Sequence, residues 1–359
     1  MAPPLGIRTW PGQAGGGQRG PAAEATQARP GNAAGRRGVM RMMARPAVLW
    51  AAWARVAAGS GMPGADGLAV ADFARDLGPR LDRLADQFAT GTYEPQPLRQ
   101  ATIIRGGRRR ALGLPTVRDR VAQRAFLEVC NDLLDADAVE VSFAYRRGRS
   151  WLDALAEAER HRDTGRRVVL RTDIADYFAR IRHDLLLGAL SSALTADASE
   201  LVRGWVAAPV LTEHGIVSRT HGIPEGAPVS PALANVYLRS FDATVHRRPG
   251  FLVRYADDIA VFCAGLDEAA EAANAAGAAL AALDLTMNAE KTYISSFDRG
   301  FSFLGWVFYQ DGGWEADPTA GWTHPMSVGR RRGTSTVPDP RAYTGPPGTA
   351  HGAPPRRPR

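Results

Sequence analysis

The sequence predicts an α+β fold in which helices pack around an antiparallel sheet. The clearest strand signal lies in residues 251–262, where apolar residues precede and follow the adjacent Asp257 and Asp258. This pattern predicts a strand, a tight acidic turn and a second strand. Helical spacing marks segments upstream, the first of them formed by Phe73, Leu77, Leu81, Leu84 and Phe88.

Further elements are predicted along the chain. Two short apolar runs around Gly106 and Gly107 predict a hairpin with basic residues at its turn. Ser230 and Pro231 are expected to open a helix, because serine is a preferred cap and proline fits the first helical position. The remaining predicted elements are helices at 122–133 and 266–283 and strands at 168–173 and 301–308.

The composition suits a protein that binds a polyanion. The 359 residues include 44 Lys and Arg against 37 Asp and Glu, a formal net charge of +7, although charge alone is a weak signal. Cys130 and Cys263 form no C-x-x-C pair, so neither a disulfide framework nor a zinc site is expected. The apolar stretch 49–62 is short and contains Arg55, which argues against a membrane span and predicts a cytoplasmic protein.

Acidic residues stand at the ends of two predicted strands. Asp173 ends the apolar strand 168–173, and Asp257 lies in the acidic turn. If the two strands are neighbours, the carboxylates form a hard oxygen site of the kind that Mg²⁺ prefers. Two unpaired carboxylates in one turn are costly unless a cation binds there, and two such ions can stabilise the attacking and leaving oxygens of a phosphoryl transfer. The pattern therefore indicates metal-dependent chemistry on nucleotides.

Taken in order, the motifs resemble those of reverse transcriptases of the bacterial group II intron-like class, over residues 46–308. The palm motifs are Asp-Ile-Ala-Asp-Tyr-Phe-Ala-Arg-Ile at 173–181, Gly-Ile-Pro-Glu-Gly-Ala-Pro-Val-Ser-Pro at 222–231, Tyr-Ala-Asp-Asp at 255–258, Met-Asn-Ala-Glu-Lys-Thr at 287–292 and Phe-Leu-Gly-Trp at 303–306. The resemblance implies a right-hand polymerase fold with helical fingers, a palm with an antiparallel sheet, and a thumb that is truncated or absent.

Composition at the two ends and the resemblance between them divide the chain into four parts. Residues 1–44 are expected to be a disordered N-terminal segment and 45–165 the N-terminal extension and fingers. Residues 166–310 are the expected palm, with the catalytic motifs and primer grip, and 311–359 a mostly disordered tail. Because the tail lacks the pattern of a helical thumb, neither intron splicing nor processive synthesis by this chain alone is expected. A frameshift in a GC-rich gene would explain such a tail.

Catalytic roles follow from the resemblance for a few residues. Asp173 and Asp257 would hold two Mg²⁺ ions, for which Mn²⁺ can substitute, and Ile174 is assigned to the same metal site. Asp258 would contact the second ion or the primer end. Lys291 is the only lysine of the chain and would neutralise or protonate the departing pyrophosphate, since lysine can give up its proton and arginine cannot. The alternative is that this lysine survived by chance.

The residues assigned to the incoming nucleotide are Arg105, Arg110, Asp176, Tyr177, Phe178, Glu225 and Gly226. Phe178 would leave no space for a ribose 2′-hydroxyl and so favour deoxynucleotides; the alternative is a buried phenylalanine at a strand end. Glu225 departs from the family, which usually has glutamine at this place. A carboxylate beside a triphosphate is repulsive unless an arginine neutralises it or it is protonated.

The residues assigned to nucleic acid are Arg146, Arg149, Tyr255, Leu304 and Gly305. The two arginines would lie near template phosphates, because a guanidinium binds phosphate with two hydrogen bonds; for each, a solvated surface charge is the alternative. Tyr255 would pack near the primer, and the last two belong to the primer grip. The implied partners are an RNA template, a DNA or RNA primer and dNTPs, with no membrane.

The predicted function is RNA-templated DNA synthesis by two-metal nucleotidyl transfer. The signatures of retron and diversity-generating enzymes are absent, which favours the CRISPR-associated branch, acting with an adaptation integrase in spacer acquisition from RNA. A mobile group II intron is the other setting. Two alternatives stay open: a non-catalytic or maturase-like relic that binds RNA, and a phage-defence polymerase that needs no template.

Overall fold

The structure, a computed structural model, describes residues 38–59, 61–105, 108–246 and 250–317. Its helices are α1 (Gly38–Met43), α2 (Pro46–Ala57), α3 (Val70–Arg75), α4 (Leu77–Thr90), α5 (Val117–Asp135), α6 (Trp151–Asp163), α7 (Tyr177–Arg180), α8 (His183–Leu190), α9 (Ala196–Ala207), α10 (Ser230–Tyr237), α11 (Arg239–His246) and α12 (Leu266–Ala281). Its strands are β1 (Leu98–Arg105), β2 (Arg108–Leu114), β3 (Val168–Asp173), β4 (Val210–Thr212), β5 (Gly215–Val217), β6 (Phe251–Tyr255), β7 (Asp258–Cys263), β8 (Tyr293–Ser296), β9 (Phe301–Phe303), β10 (Trp306–Phe308) and β11 (Trp314–Ala316). The predicted α+β class is confirmed.

A four-stranded antiparallel sheet carries both acidic motifs. Its strand order is β6-β7-β3-β8, so β3 and β7 are neighbours, which is the condition that the predicted oxygen site required. Their register pairs Asp173 with Asp258, at the end where β3 stops and β7 begins. The acidic turn therefore lies at the end of two central strands.

Both faces of this sheet are covered, because side chains alternate along each strand. Leu170 and Val261 belong to the larger core, which also contains the buried face of α12. Val169 and Phe262 face the other way, into a smaller core with the phenylalanines of β9 and β10. Each fully buried side chain of this size contributes about 1.5–3 kcal/mol. Cores on both faces leave the strand ends and the edge strand β8 as the accessible parts of the sheet.

A second four-stranded sheet has the order β2-β1-β4-β5. Its β1–β2 hairpin confirms the prediction and pairs Thr102 with Ala111. Strand β1 also pairs in parallel with β4, through Leu98 and Val210. Gly106 and Gly107 lie outside the described residues, as do the side chains of Arg105 and Arg110.

The N-terminal boundary predicted at residue 44 is wrong. Helix α1 begins at Gly38 and buries Val39 and Met43, which join the larger core. Two buried side chains are enough for so short a helix because it packs on α4, α5 and α9. Six residues are too few for a periodic signal in the sequence. Residues 1–37 lie outside the described residues.

Residues 301–308 form two strands instead of the single predicted strand. Leu304 and Gly305 have φ angles of 52° and 80°, and positive φ at both central residues is typical of a tight two-residue hairpin turn. The resemblance to a primer-gripping hairpin anticipated this turn, whereas the apolar alternation did not. Strand β11 then pairs with β10, so the predicted disorder from residue 311 is wrong for Trp314–Ala316; residues 318–359 lie outside the described residues.

Helix α10 begins one residue earlier than the predicted serine cap requires. Val229 is the capping residue, and Ser230 is the first residue of the helix. The Ser230 hydroxyl is buried and has no hydrogen-bond partner among the described residues. The cap prediction is therefore wrong, because the serine sits inside the first turn. None of the helices in the described ranges is long and apolar enough to cross a lipid bilayer.

The buried His161 should make the free energy of unfolding of the protein depend on pH. Its ring lies against Phe251 and Phe262, with centroids 4.8 and 5.1 Å away, and burial lowers its pKa from 6.5 to about 4. Between these values the unfolded chain binds more protons, so stability is complete above pH 6.5 and falls as the pH drops toward 4, by up to about 3 kcal/mol. His161→Phe should remove part of this loss in urea unfolding at pH 7.5 and 4.5. An unchanged pH dependence would contradict the assignment.

Candidate active site

The acidic turn joins β6 to β7 through Ala256 and Asp257, and Tyr255 pairs with Asp258 on either side of it. Ala256 has a φ of 58°, a left-handed conformation that costs a residue with a side chain roughly 1–2 kcal/mol. The Ala256 carbonyl accepts a hydrogen bond from Arg254 Nη1 at 2.9 Å. This bond ties the strained residue to the strand that precedes it.

Arg254 lies beneath the turn and is 1% exposed. Its Nε and Nη2 donate to the two carboxylate oxygens of Asp242, at 2.6 and 2.5 Å. Nη1 also donates to Asn235 Oδ1 at 3.2 Å, and Nη2 to Ser142 Oγ at 2.8 Å. Burial raises the pKa of Asp242, and Arg254 opposes this shift. The network fixes the turn to α10 and α11 from below.

Asp173 and Asp257, named here the carboxylate pair, lie together at the end of the sheet. The Ile174 amide donates to the Asp257 carbonyl at 3.3 Å, and the Asn288 amide to the Asp173 carbonyl at 2.7 Å. Burial, and then the nearby Asp173 carboxylate, raises the pKa of Asp257 to about 6. Lys291 Nζ donates to the Asp173 carboxylate. Negative charge is therefore crowded here, with one lysine beside it.

The carboxylate pair fits a magnesium ion. Across the described ranges, no three Asp, Glu, His or Cys side chains come close enough to hold a metal ion by themselves. Magnesium does not need such a cage, because it keeps several waters and binds through one or two carboxylates plus the phosphates of a substrate. A cation would also offset the burial and the repulsion by Asp173 that together raise the pKa of Asp257.

Asp258 makes a different contact, so the prediction of two unpaired carboxylates is wrong for this residue. Its Oδ1 lies 2.6 Å from Arg171 Nη2. Arg171 stands two residues before Asp173, hence on the same face of β3, where it reaches Asp258 on the neighbouring strand. The sequence analysis overlooked this arginine.

In the segment after Asp173, the backbone at Asp176 and part of the Phe178 ring are accessible. Asp176 is exposed and left-handed, with a φ of 47°. Tyr177 is buried, and its hydroxyl donates to the Ala234 carbonyl. Phe178 is half-buried and stands edge-on to Tyr177, with ring centroids 5.6 Å apart. Phe178 thus packs against the larger core while part of its ring stays accessible.

Glu225 and Gly226 line a cavity of about 420 Å³ between α5 and α10, together with Arg124 and Asn131. Glu225 is exposed there. Gly226 is needed for close packing, because a Cβ at this place would lie 2.8 Å from Leu114 Cδ2. Arg124, which could neutralise Glu225, thus lines the same cavity.

The residues assigned to nucleic acid have mixed surroundings. Arg146 is 10% exposed, pairs with Asp135 at 2.6 Å and donates to two nearby carbonyls. Arg149 is half-buried, with its guanidinium carbon 5.1 Å from the centre of the Phe143 ring. The other assigned residues lie elsewhere. Tyr255 and Leu304, which precedes Gly305, pack against the smaller core at the end of the sheet. Arg146 is therefore not a free surface charge.

Three site residues were missed by the sequence analysis: Arg171, Asp242 and Arg254. Each lies in or beside a predicted element, but a buried charge and its partner are separated in sequence by many residues. The only local signal was an arginine within an apolar strand, which occurs in both β3 and β6. A charge there requires a partner.

Comparison with known proteins places these motifs in a family. YkfC of Escherichia coli is 28% identical over 289 residues, covering 69% of this chain and 76% of YkfC. The group II intron-encoded protein LtrA of Lactococcus lactis is 29% identical over 169 residues, covering 46% of this chain and 28% of LtrA. A chain of a partial Cas6–RT–Cas1–Cas2 complex aligns with a TM-score of 0.44 and 25% identity, covering 68% of this chain and 41% of that one.

The chain thus spans about three quarters of YkfC but less than half of the other two proteins. The family model described as reverse transcriptase (RNA-dependent DNA polymerase) matches residues 101–308. This range includes the whole β6-β7-β3-β8 sheet and all the palm motifs, and it is more than half of the 359 residues. The right-hand polymerase fold and the group II-like resemblance are confirmed, and the chain belongs to the reverse transcriptase family.

Proposed function

We propose that this chain copies an RNA template into DNA, adding dNTPs to a primer 3′-hydroxyl. The observation that carries the proposal is the carboxylate pair at the end of β3 and β7, with Lys291 on one of its members. Family membership supports RNA-directed polymerisation in general, and enzymes of this family use divalent metal ions. The proposal adds the substrate, the two ions and the roles of individual residues.

Two Mg²⁺ ions, when bound, stabilise the charge on the attacking and leaving oxygens. Asp173 and Asp257 would hold them, with the backbone at Ile174 beside the site. Lys291, whose ammonium group donates to the Asp173 carboxylate, would protonate or neutralise the departing pyrophosphate. Lysine suits this step because it can give up a proton.

The incoming nucleotide lies between the fingers and the segment 176–178. The backbone at Asp176 and Tyr177 approaches the triphosphate, and Arg105 and Arg110 supply its positive partners. Glu225 and Gly226 lie beside the template–nucleotide pair. Arg149, Tyr255 and the Leu304–Gly305 turn contact template and primer, and we assign Arg146 a supporting role because its guanidinium is used within the protein.

Phe178 should determine whether deoxynucleotides or ribonucleotides are incorporated. Phe178→Ala should raise ribonucleotide incorporation relative to deoxynucleotide incorporation by at least about tenfold, because the ring that excludes a 2′-hydroxyl is gone. Phe178→Leu should give an intermediate value. The measurement is kcat/KM for UTP and dTTP on one primed RNA. Unchanged discrimination in Phe178→Ala would undo the assignment of Phe178 as the sugar gate.

Primer extension on poly(rA)/oligo(dT) with dTTP tests the proposed function. Product should form with Mg²⁺ or Mn²⁺ and stop when the metal is chelated. Oligo(dT) alone is the control for template-independent synthesis, and extension without poly(rA) would favour the phage-defence alternative. Absence of all extension by folded protein would contradict the proposal.

RNA binding without chemistry is the second candidate, favoured by the exposed Glu225 carboxylate in the cavity where the family usually has glutamine. Its signature is a gel shift with RNA and no extension by the wild-type protein. Glu225→Gln separates the two candidates, since extension that appears only in this variant would show a site silenced by one charge. For the CRISPR setting the proposed partner is an adaptation integrase, tested by copurification after coexpression.

A further inference from the structure

Arg171 connects three strands through one side chain. Its Nη2 lies 2.6 Å from Asp258 Oδ1, and its Nη1 donates to the Ile259 carbonyl of β7. Its Nε donates to the Ser302 carbonyl of β9 at 2.7 Å. The guanidinium carbon lies 4.7 Å from the centre of the Phe303 ring. The side chain is 10% exposed, so these contacts replace water almost completely.

The link joins two turns that the palm needs in a fixed relation. Asp258 directly follows the acidic turn that carries Asp257, and Phe303 directly precedes the Leu304–Gly305 turn. The planar guanidinium has its donors in a rigid fork. The distance between Asp258 Oδ1 and the Ser302 carbonyl can therefore change little while Arg171 keeps both contacts. Such a partly buried ion pair adds little net stability over an apolar packing.

We infer that Arg171 is a positioning residue that holds the β9–β10 hairpin in register with the acidic turn, with Asp258 as its anchor. Asp258 then serves alignment, and the cations are left to the carboxylate pair. The expected loss of rate rests on the proposed function. The contacts of Arg171 with β7 and β9 do not, because they belong to the folded chain. Misplacing a primer end by about 1 Å can cost on the order of a hundredfold in rate.

Single-nucleotide addition to a bound primer on poly(rA) measures the alignment. Arg171→Gln and Asp258→Asn should each slow the single-turnover rate by about a hundredfold, while the Kd for the primer–template changes less than threefold. The double variant should be no slower than Arg171→Gln, because both changes break one link. Arg171→Lys, which keeps the charge but loses the fork, should recover part of the rate.

Arg166→Gln is the matched control. Arg166 also pairs with a carboxylate, Glu268 at 2.7 Å, and stacks over Phe251 at 4.1 Å, but it precedes β3 at the end away from Asp173. This variant should keep the wild-type rate. A merely structural loss in Arg171→Gln would instead lower primer–template affinity together with the rate.

Two measurements do not depend on activity. Hydrogen exchange should rise in residues 301–308 of Asp258→Asn and Arg171→Gln but stay unchanged in Arg166→Gln. Mn²⁺ titration followed by electron paramagnetic resonance should show less than a threefold change in Kd for Asp258→Asn and at least a tenfold weakening for Asp257→Asn. If the wild-type protein adds no nucleotide, the proposed function fails. Hydrogen exchange in residues 301–308 would still show whether Arg171 holds the β9–β10 hairpin.

The inference is overturned by any of three results. Additive rate losses in the double variant would show that Arg171 and Asp258 act separately. Unchanged exchange in residues 301–308 of Asp258→Asn would show that no link reaches the hairpin. A tenfold loss of Mn²⁺ affinity in Asp258→Asn would make Asp258 a metal ligand.

Discussion

Asp257→Asn should lower the rate of nucleotide addition on the order of a thousandfold, because loss of transition-state stabilisation by bound metal is worth several kcal/mol. The substitution keeps the shape of the side chain but removes the charge that would hold a cation beside Asp173. It also removes a charge whose burial, and whose repulsion by Asp173, raise the pKa of Asp257. The variant should therefore be at least as stable as the wild-type protein while being nearly inactive.

Asp267→Asn is the matched control for this prediction. Asp267 is an exposed carboxylate in the first turn of α12, so the same chemical change there should leave the rate within twofold of wild type. The measurement is the steady-state rate on poly(rA)/oligo(dT) over a range of Mg²⁺ concentrations. Equal activity of Asp257→Asn and wild type would remove Asp257 from the metal site and with it the proposed mechanism.

Asp242→Ala should destabilise the protein by about 3–5 kcal/mol, because it leaves Arg254 as a buried charge without its partner. Arg254 is 1% exposed and Asp242 is 2% exposed, so water cannot replace the lost contact without opening the core. The urea midpoint measures the effect. Glu200→Ala is the control, because it breaks an exposed ion pair with Arg203 and should change stability by less than about 1 kcal/mol.

Removing both charges separates stability from activity. Asp242→Leu combined with Arg254→Met should recover most of the stability, since an apolar pair can replace a buried ion pair at little cost. The Ala256 carbonyl would still lack the donor that holds the strained turn, so activity should stay low. A double variant that is both stable and fully active would show that the network does not shape the turn.

The sequence alone was sufficient to predict the acidic turn and its neighbouring strand. Two adjacent aspartates between apolar runs have few explanations other than a hairpin, and the strand that ends at Asp173 was the candidate neighbour of this hairpin because a shared metal site needs both carboxylates. The antiparallel sheet was implied by the family resemblance. The pairing of Asp258 with Arg171 could not be predicted, because it depends on which face of β3 each side chain takes and on the register of a strand far away in sequence.

Errors arose where local patterns were short or ambiguous. Alternating apolar residues at 301–308 suit one strand as well as two, and only the conformation at Leu304 and Gly305 separates them. Helix α1 is stabilised by tertiary packing of Val39 and Met43, for which a propensity-based argument has no information. The serine cap at α10 failed by one residue, a typical displacement for helix boundaries.

The order of strands in the palm sheet affects how the chain is synthesised. Strand β3 pairs with β7 and β8, and both are made long after it leaves the ribosome. Until Asp258 and the residues beyond it emerge, the apolar run Val168–Leu170 has two unpaired edges, the state in which strands of different chains join and aggregate. A fragment that ends before β7 is accordingly expected to be insoluble, and the nascent protein is most exposed to aggregation during synthesis of residues 174–257.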